Sequence, residues 1–337
     1  MLGIPHSNLP VLVTGGAGFI GAVTVRRLIE DGHRVTVADN GNGSRHAAAR
    51  RAITDAEWVD VDLHDVDLVD LMSGFAYVVH LAGRPGVQTS WRMGFVDHLH
   101  DNILVTQRVL EAAIVTRPRQ VLLASSSSVY GDVPAGLVSE GAPLSPLSPY
   151  GVSKAATEML MDAYVKRGVP AAALRLFTVY GRGQRPDMAL HRIIDAGLGG
   201  PAFELRGSGR QVRDFTHVDD IAAAIAAVVG TSVDPGTVLN IGSGRPVELR
   251  ALIAAVEHHL DRPVPVVKVA AAPGDPMRTA ADTSLARTIL GWTPTTTLEA
   301  GIADQVLHHQ RRTAVRTGVA DTSCAPNPAP VHAWRVA

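Results

Sequence analysis

One cysteine, Cys324, among 337 residues excludes an internal disulfide and any zinc site built from cysteine thiolates. Aromatic residues make up only 4%, which argues against a protein that grips nucleic acid by stacking on its bases. Neither charge sign predominates: 31 lysines and arginines stand against 32 aspartates and glutamates. The balance leaves no electrostatic footprint for nucleic acid or an anionic membrane. No apolar run reaches the roughly 18 residues that a membrane-spanning helix needs, and no basic segment leads into an apolar one near residue 1. The expectation is a soluble, cytoplasmic protein. The adjacent histidines His258-His259 and His308-His309 point to different faces of a helix and have no third ligand nearby, so no metal is expected.

What the chain does have begins with Val11-Leu12-Val13-Thr14-Gly15-Gly16-Ala17-Gly18-Phe19-Ile20-Gly21. A short strand-like run breaks into glycines at i, i+3 and i+6 and then into a helical pattern. This is how a chain sets a dinucleotide pyrophosphate against the positive end of a helix. Gly15 permits the tight turn, Gly18 lets backbone approach phosphate, and Gly21 lets the helix pack on the strand, with Phe19 and Ile20 between them. A second strand ends in Asp39, 18 residues beyond Gly21. A carboxylate there accepts hydrogen bonds from the adenosine ribose and repels a 2′-phosphate, so the cofactor expected is NAD, not NADP.

Strand-like segments at 11–14, 34–38, 57–61, 76–81, 119–125 and 170–176 alternate with helical patterns at 19–31, 64–72, 96–116 and 149–167. Such alternation implies right-handed βαβ crossovers and a parallel sheet covered on both faces. The fold expected is α/β: a doubly wound parallel sheet of Rossmann type with a smaller C-terminal substrate-binding lobe. Residues 1–177 would form mainly the NAD-binding domain. Residues 178–312 would form mainly the smaller lobe, with short helices at 217–229, 246–260 and 298–310 and some segments returning to the sheet. The stretch 313–337 lacks periodicity and reads as a disordered tail, and the cluster Arg45-His46…Arg50-Arg51 reads as a solvated loop.

A second signal is Ser148-Pro149-Tyr150-Gly151-Val152-Ser153-Lys154. Pro149 starts a helix, so Tyr150 and Lys154 stand one turn apart on one face. An ammonium beside a phenol favours the phenolate, which can then act as a general base. Ahead of it, Ser125-Ser126-Ser127-Ser128 falls at the C-terminal end of the fifth strand, the edge where open α/β sheets bind ligands. Core packing explains four consecutive hydroxyls poorly. His80, ending an apolar strand, reads as satisfying a backbone group.

GGAGFIG, Asp39, VDVDLHD (59–65), HLAG (80–83), Asn102, SSSSVYG, YGVSK and RDFTHVDD (213–220) occur in the order seen in extended short-chain dehydrogenase/reductases acting on nucleotide sugars. The resemblance covers about residues 10–310. It implies that Tyr150 is the base, that Lys154 holds its proton state and the nicotinamide ribose, and that Ser126 bonds O4 of the sugar. Asp62 and Leu63 would contact adenine, and Leu81, Ala82 and Gly83 would line the NAD backbone. Arg213 would meet the diphosphate, with Asp275 and Arg278 in a loop for uridine and phosphate and Arg192 a weaker candidate. A homodimer is implied, through the helices at 96–116 and 149–167.

Within that family the fate of a 4-ketone distinguishes the enzymes. Dehydratases carry an Asp-Glu pair where this chain has Ser127 and Ser128, which cannot perform the elimination. Serines suit an epimerase that must hold a uronate carboxylate without provoking loss of CO2. Thr178 would join them, because UDP-glucose 4-epimerases usually have asparagine there. The segments Arg84–Trp91 (with Pro85, Gly86 and Val87), Phe177-Thr178 and Gly183–Ala189 (with Arg185) resemble UDP-glucuronate 4-epimerases. Departures are Gln88 for a usual arginine and Arg182 for a usual proline. The leading expectation is a UDP-glucuronate 4-epimerase. Alternatives are a UDP-glucose or UDP-N-acetylglucosamine 4-epimerase, a UDP-glucuronate decarboxylase and a non-catalytic NAD-binding scaffold.

Overall fold

The computed structural model describes residues 8–42, 46–133, 135–271 and 274–317, with side chains through Thr313. Strands β1 (Pro10–Thr14), β2 (Arg34–Asp39), β3 (Glu57–Asp60), β4 (Tyr77–His80), β5 (Gln120–Ser126) and β6 (Ala171–Leu176) come from the first half of the chain. Six short strands follow: β7 (Thr178–Tyr180), β8 (Phe203–Arg206), β9 (Val212–His217), β10 (Val238–Ile241), β11 (Pro246–Glu248) and β12 (Val266–Val269). The main sheet has seven strands in the order β10-β6-β5-β4-β1-β2-β3, and every pairing in it is parallel. β1 lies between β2 and β4, so the strand order reverses there and opens a crevice at the carboxyl ends.

The apolar runs explain the two-sided cover. Val11 and Val13 face a core with Val25 and Leu28, while Leu12 faces another with Val78, Leu110 and Met161. A strand buried on both faces cannot alternate polar and apolar residues. The later strands and helices enclose a separate core of Tyr180, Ile193, Phe203, Leu252 and Ile302. β10 leaves that region and pairs with β6 at the sheet edge. Register aligns Thr14 with His80 and Ser126 with Leu176, so the ends of β1, β4, β5 and β6 share one rim.

Three expectations need correction. Residues 46–52, read as part of a solvated loop, form the helix His46–Ala52 with Ala49 buried; four alanines favour the helix, and His46 anchors it between Asp39 and Asp60. Arg45 lies outside the described residues. The last helix runs Leu298–Thr317, taking in the first five residues of the stretch expected to be disordered. Gln310, Arg311 and Arg312 are good helix formers and carry the helix past residue 310. Residues 318–337, with Cys324, lie outside the described residues. The single helix expected at 96–116 is a short α-helix, Gly94–His98, a π-helical segment, Leu99–Leu104, and the α-helix Val105–Thr116.

Candidate active site

The glycine turn after β1 is shaped by close backbone approach. Gly15 has φ +68°, and a Cβ there would lie 2.7 Å from the Ala82 nitrogen. Gly21 faces the Gly15 carbonyl so closely that no side chain fits. The helix Phe19–Glu30 begins at Gly18 with no side-chain cap and no acidic residue in its first turn. Its leading N–H groups, among them those of Phe19 and Ile20, are therefore open to an anion.

Around this turn Asp39 accepts from the Ala17 nitrogen at 3.1 Å and the Gly41 nitrogen at 3.1 Å, and meets His46 Nδ1 at 3.2 Å. Asp62 accepts from the His64 nitrogen (2.9 Å) and Asn40 (3.0 Å), which holds its carboxyl below the usual range. Leu63 is buried, and Arg108 donates to its carbonyl at 2.6 Å. At the end of β4, the Leu81 nitrogen donates to the Thr14 carbonyl and the Ala82 nitrogen to Thr14 Oγ1 (3.3 Å). His80 is tied to the Thr14 and Thr106 hydroxyls, at 2.8 and 3.3 Å, where a backbone partner was expected. Burial lowers its pKa to about 3, so it stays neutral. Gly83 sits against Asn102 Oδ1, and Asn102 braces the Arg84 backbone and Ser153.

Tyr150 opens the helix Pro149–Val165, whose N-cap Ser148 accepts from the Gly151 nitrogen. The Ser126 side chain hydrogen-bonds the Tyr150 phenol and accepts from the Ser128 nitrogen at 3.1 Å. Lys154 Nζ donates to the Ala124 carbonyl at 2.8 Å and lies 3.7 Å from where a Gly83 side chain would begin. The expectation of a phenol lowered by Lys154 needs revision for the protein alone. Burial pushes the Tyr150 phenol up, opposed by the Ser126 hydrogen bond and the Arg185 charge. It is Lys154 whose pKa falls, to about 8, because burial disfavours the ammonium. The hydroxyls of Ser127, Ser128 and Thr178 have no hydrogen-bond partner among the described residues.

The remaining candidates are less uniformly placed. Arg185 acts electrostatically on Tyr150 and lies 3.8 Å from where a Gly86 side chain would begin, between Pro85 and Val87; its Nε donates to Asp187 at 2.9 Å. Phe177 is buried against Tyr130, and its nitrogen donates to the Ile241 carbonyl. Arg213 donates to Asp275 at 2.6 Å, not to the neighbouring Asp214. Arg278 donates to the Gly136 carbonyl at 3.2 Å, not to Asp282. Arg192 is turned to Glu204 (3.3 Å) and the Phe203 ring, with no contact to the other candidates. Gln88 lies in the short turn Gln88–Ser90, and Arg182 pairs with Asp304 at 2.9 Å.

Residues 11–242 match the family model described as the NAD dependent epimerase/dehydratase family. The chain belongs to that family. A Bacillus subtilis (strain 168) protein called an uncharacterized UDP-glucose epimerase, YtcB, is 35% identical over 312 residues, spanning 89% of this chain and 98% of that one. The crystal structure of a Bacillus cereus UDP-glucuronic acid 4-epimerase in complex with UDP-glucuronic acid and NAD is similar with a TM-score of 0.86 at 35% identity, covering 90% of this chain and all of the other. MoeE5, solved with UDP-glucuronic acid and NAD and also with UDP-glucose and NAD, is similar with a TM-score of 0.83 at 39% identity, over 90% of this chain and 99% of that one.

The residues present fit NAD: an uncapped helix start with no acidic residue in its first turn, a glycine turn with no room for side chains at Gly15 and Gly21, and a carboxylate ending β2. Several members of this epimerase/dehydratase site escaped sequence reasoning. His98 is fully buried and packs edge-on to the Tyr150 ring, with centroids 6.0 Å apart. Arg108 holds the carbonyls of Leu63, His64 and Val66, and no local pattern betrays it. Glu158 stands one further turn beyond Lys154, so the spacing 150, 154, 158 was a usable signal. Among the described residues no helix is long and apolar enough to cross a membrane.

Proposed function

We propose that this chain is an NAD-dependent UDP-sugar 4-epimerase whose substrate is UDP-glucuronate. The observation that carries the reading is the hydroxyl cluster at the end of β5 beside a buried phenol, with the hydroxyls of Ser127, Ser128 and Thr178 unengaged among the described residues. NAD, when bound, supplies the acceptor and returning donor of the C4 hydride, and a positive ring that further favours the phenolate. Tyr150 takes the proton of the 4-hydroxyl and later restores it, and Ser126 aligns that hydroxyl through the bond it already offers the phenol. The Lys154 ammonium favours the ionised phenol. Arg213, Asp275 and Arg278 take the UDP end.

A 4-keto uronate is a β-keto acid and loses CO2 readily when its carboxylate lies perpendicular to the ketone. Ser127, Ser128 and Thr178 are short donors that can hold the carboxylate away from that orientation without offering an acid for elimination. The relatives named above span glucuronate and glucose, so the sugar is the point to test. Purified protein without added NAD, given UDP-glucuronate, UDP-glucose and UDP-N-acetylglucosamine, should convert the first to UDP-galacturonate by NMR. Release of CO2 with a UDP-pentose would select a decarboxylase, and steady NADH release would overturn epimerisation. Thr178→Ala should lower uronate turnover by about ten- to a hundredfold while sparing the neutral sugars; equal losses would remove the carboxylate clamp.

We also propose a homodimer, on the exposed Val96, Val152 and Met159 of the helices flanking the site. Light scattering should return the mass of two chains; a monomer at working concentration would contradict it.

A further inference from the structure

Below the hydroxyl-rich rim lies a buried ionic network that the reaction proposed above does not use. Glu158, on the same helix face as Tyr150 and Lys154, accepts a hydrogen bond from Ser125 Oγ. Arg175 of β6 grips the same carboxylate with two nitrogens, Nε to Oε1 at 3.0 Å and Nη2 to Oε2 at 2.7 Å. The other guanidinium nitrogen donates to the Tyr130 hydroxyl (2.7 Å) and the Glu140 carbonyl (2.9 Å). Tyr130 in turn donates to Asn240 of β10 at 2.7 Å. Both charged side chains are almost fully buried, at 6% and 7% exposure. A buried pair of this kind is held because removing one partner strands the other charge, and here the fold spends a helix turn and three strands on fixing one carboxylate.

We propose that Glu158 is a positioning residue for Lys154: its fixed negative charge keeps the neighbouring ammonium protonated at working pH, and its bond to Ser125 holds the strand end onto which that ammonium docks. The inference rests on the reading of Lys154 as the group that supports the Tyr150 phenolate. Ala124, whose carbonyl receives the Lys154 ammonium, is next to Ser125, which Glu158 holds. One side chain thus governs both the charge and the seat of the lysine.

The groups facing Lys154 can be named from each packed element. Tyr150 and Glu158 lie on its own helix, His80 faces it from β4, and Arg175 stands behind Glu158 on β6. His80 is neutral and Arg175 is spent on Glu158, Tyr130 and Glu140. Glu158 is the one charge that raises the lysine's pKa against burial, leaving it at about 8. Without that charge the lysine loses its proton at lower pH.

Lys154, Lys166 and Lys268 are the only lysines in the sequence, so lysine Cε carbon NMR on the NAD-loaded enzyme follows each ammonium separately. In Glu158→Gln the Lys154 midpoint should fall by about one pH unit or more, and the alkaline limb of kcat should move down with it. Lys166 and Lys268 should titrate as in the wild type. A Lys154 midpoint within about 0.3 units of wild type would overturn the proposal, because the carboxylate would then have no hold on the charge of the ammonium. Should Glu158→Gln not fold, the pair Glu158→Gln/Arg175→Met leaves no unpaired buried charge; its Lys154 midpoint should also fall, and an unchanged one has the same overturning force. Tyr150→Phe separates this idea from the reading beneath it: undiminished turnover there removes Tyr150 as base, whereas the Glu158 dependence of the lysine is read without turnover.

Discussion

The two ends of the site are organised differently. At the glycine turn the work is done by backbone: Gly15 and Gly21 pack against main-chain atoms, and the helix start has no side-chain cap. At the proposed UDP end the work is left to long side chains that are already engaged. Arg213 is paired with Asp275, Arg278 donates to the Gly136 carbonyl, and Arg192 is paired with Glu204. The backbone end is therefore prepared for its ligand, while on the proposed reading Arg213 must exchange its carboxylate for a phosphate. The contrast teaches that the dinucleotide side should tolerate almost no substitution. The nucleotide-sugar side should lose affinity in steps.

The harshest way to break this contrast is Gly21→Ala. Its methyl would collide with the Gly15 carbonyl, and relief requires the helix to shift from the strand. A loss of at least about 3 kcal/mol in stability, or purification without NAD, is expected by thermal melting and cofactor assay. A variant of wild-type stability with full NAD would show that the turn is looser than its packing indicates. A smaller effect is expected from Arg213→Ala, read by calorimetric titration with UDP. Loss of a charge-assisted contact and a stranded Asp275 should weaken binding by about ten- to a hundredfold with NAD retained. The smallest belongs to Arg192→Ala in the same titration. This side chain is about one-third exposed and turned to Glu204, so UDP affinity should stay within about threefold. A large loss there would mean that Arg192 swings into the cleft when UDP arrives.

Legibility follows the same line. The glycine spacing, Asp39 and the Tyr150/Lys154 pair could be read because each depends on local backbone geometry: a turn, a strand end, one helical repeat. The parallel sheet could be read because β1, β4 and β5 are apolar without alternation, as doubly covered strands must be. Harder to read were contacts between segments distant in the chain. Nothing near Arg175 announces that it serves Glu158 and Tyr130, and nothing near Arg213 chooses Asp275 over the adjacent Asp214. The π-helical turn that carries Asn102 inward is likewise set by what it packs against, the Arg84 backbone and Ser153. The helix His46–Ala52 depends on His46 finding two carboxylates from other strands.

The central claim is that the Tyr150 phenol, beside Ser126 and supported by Lys154, moves the proton of the sugar 4-hydroxyl. Tyr150→Phe removes one oxygen and leaves the ring packed on His98. Measured by NMR with UDP-glucuronate, its turnover should fall by about a thousandfold or more while purified protein keeps its NAD. Turnover within tenfold of wild type, with NAD still bound, would contradict the account.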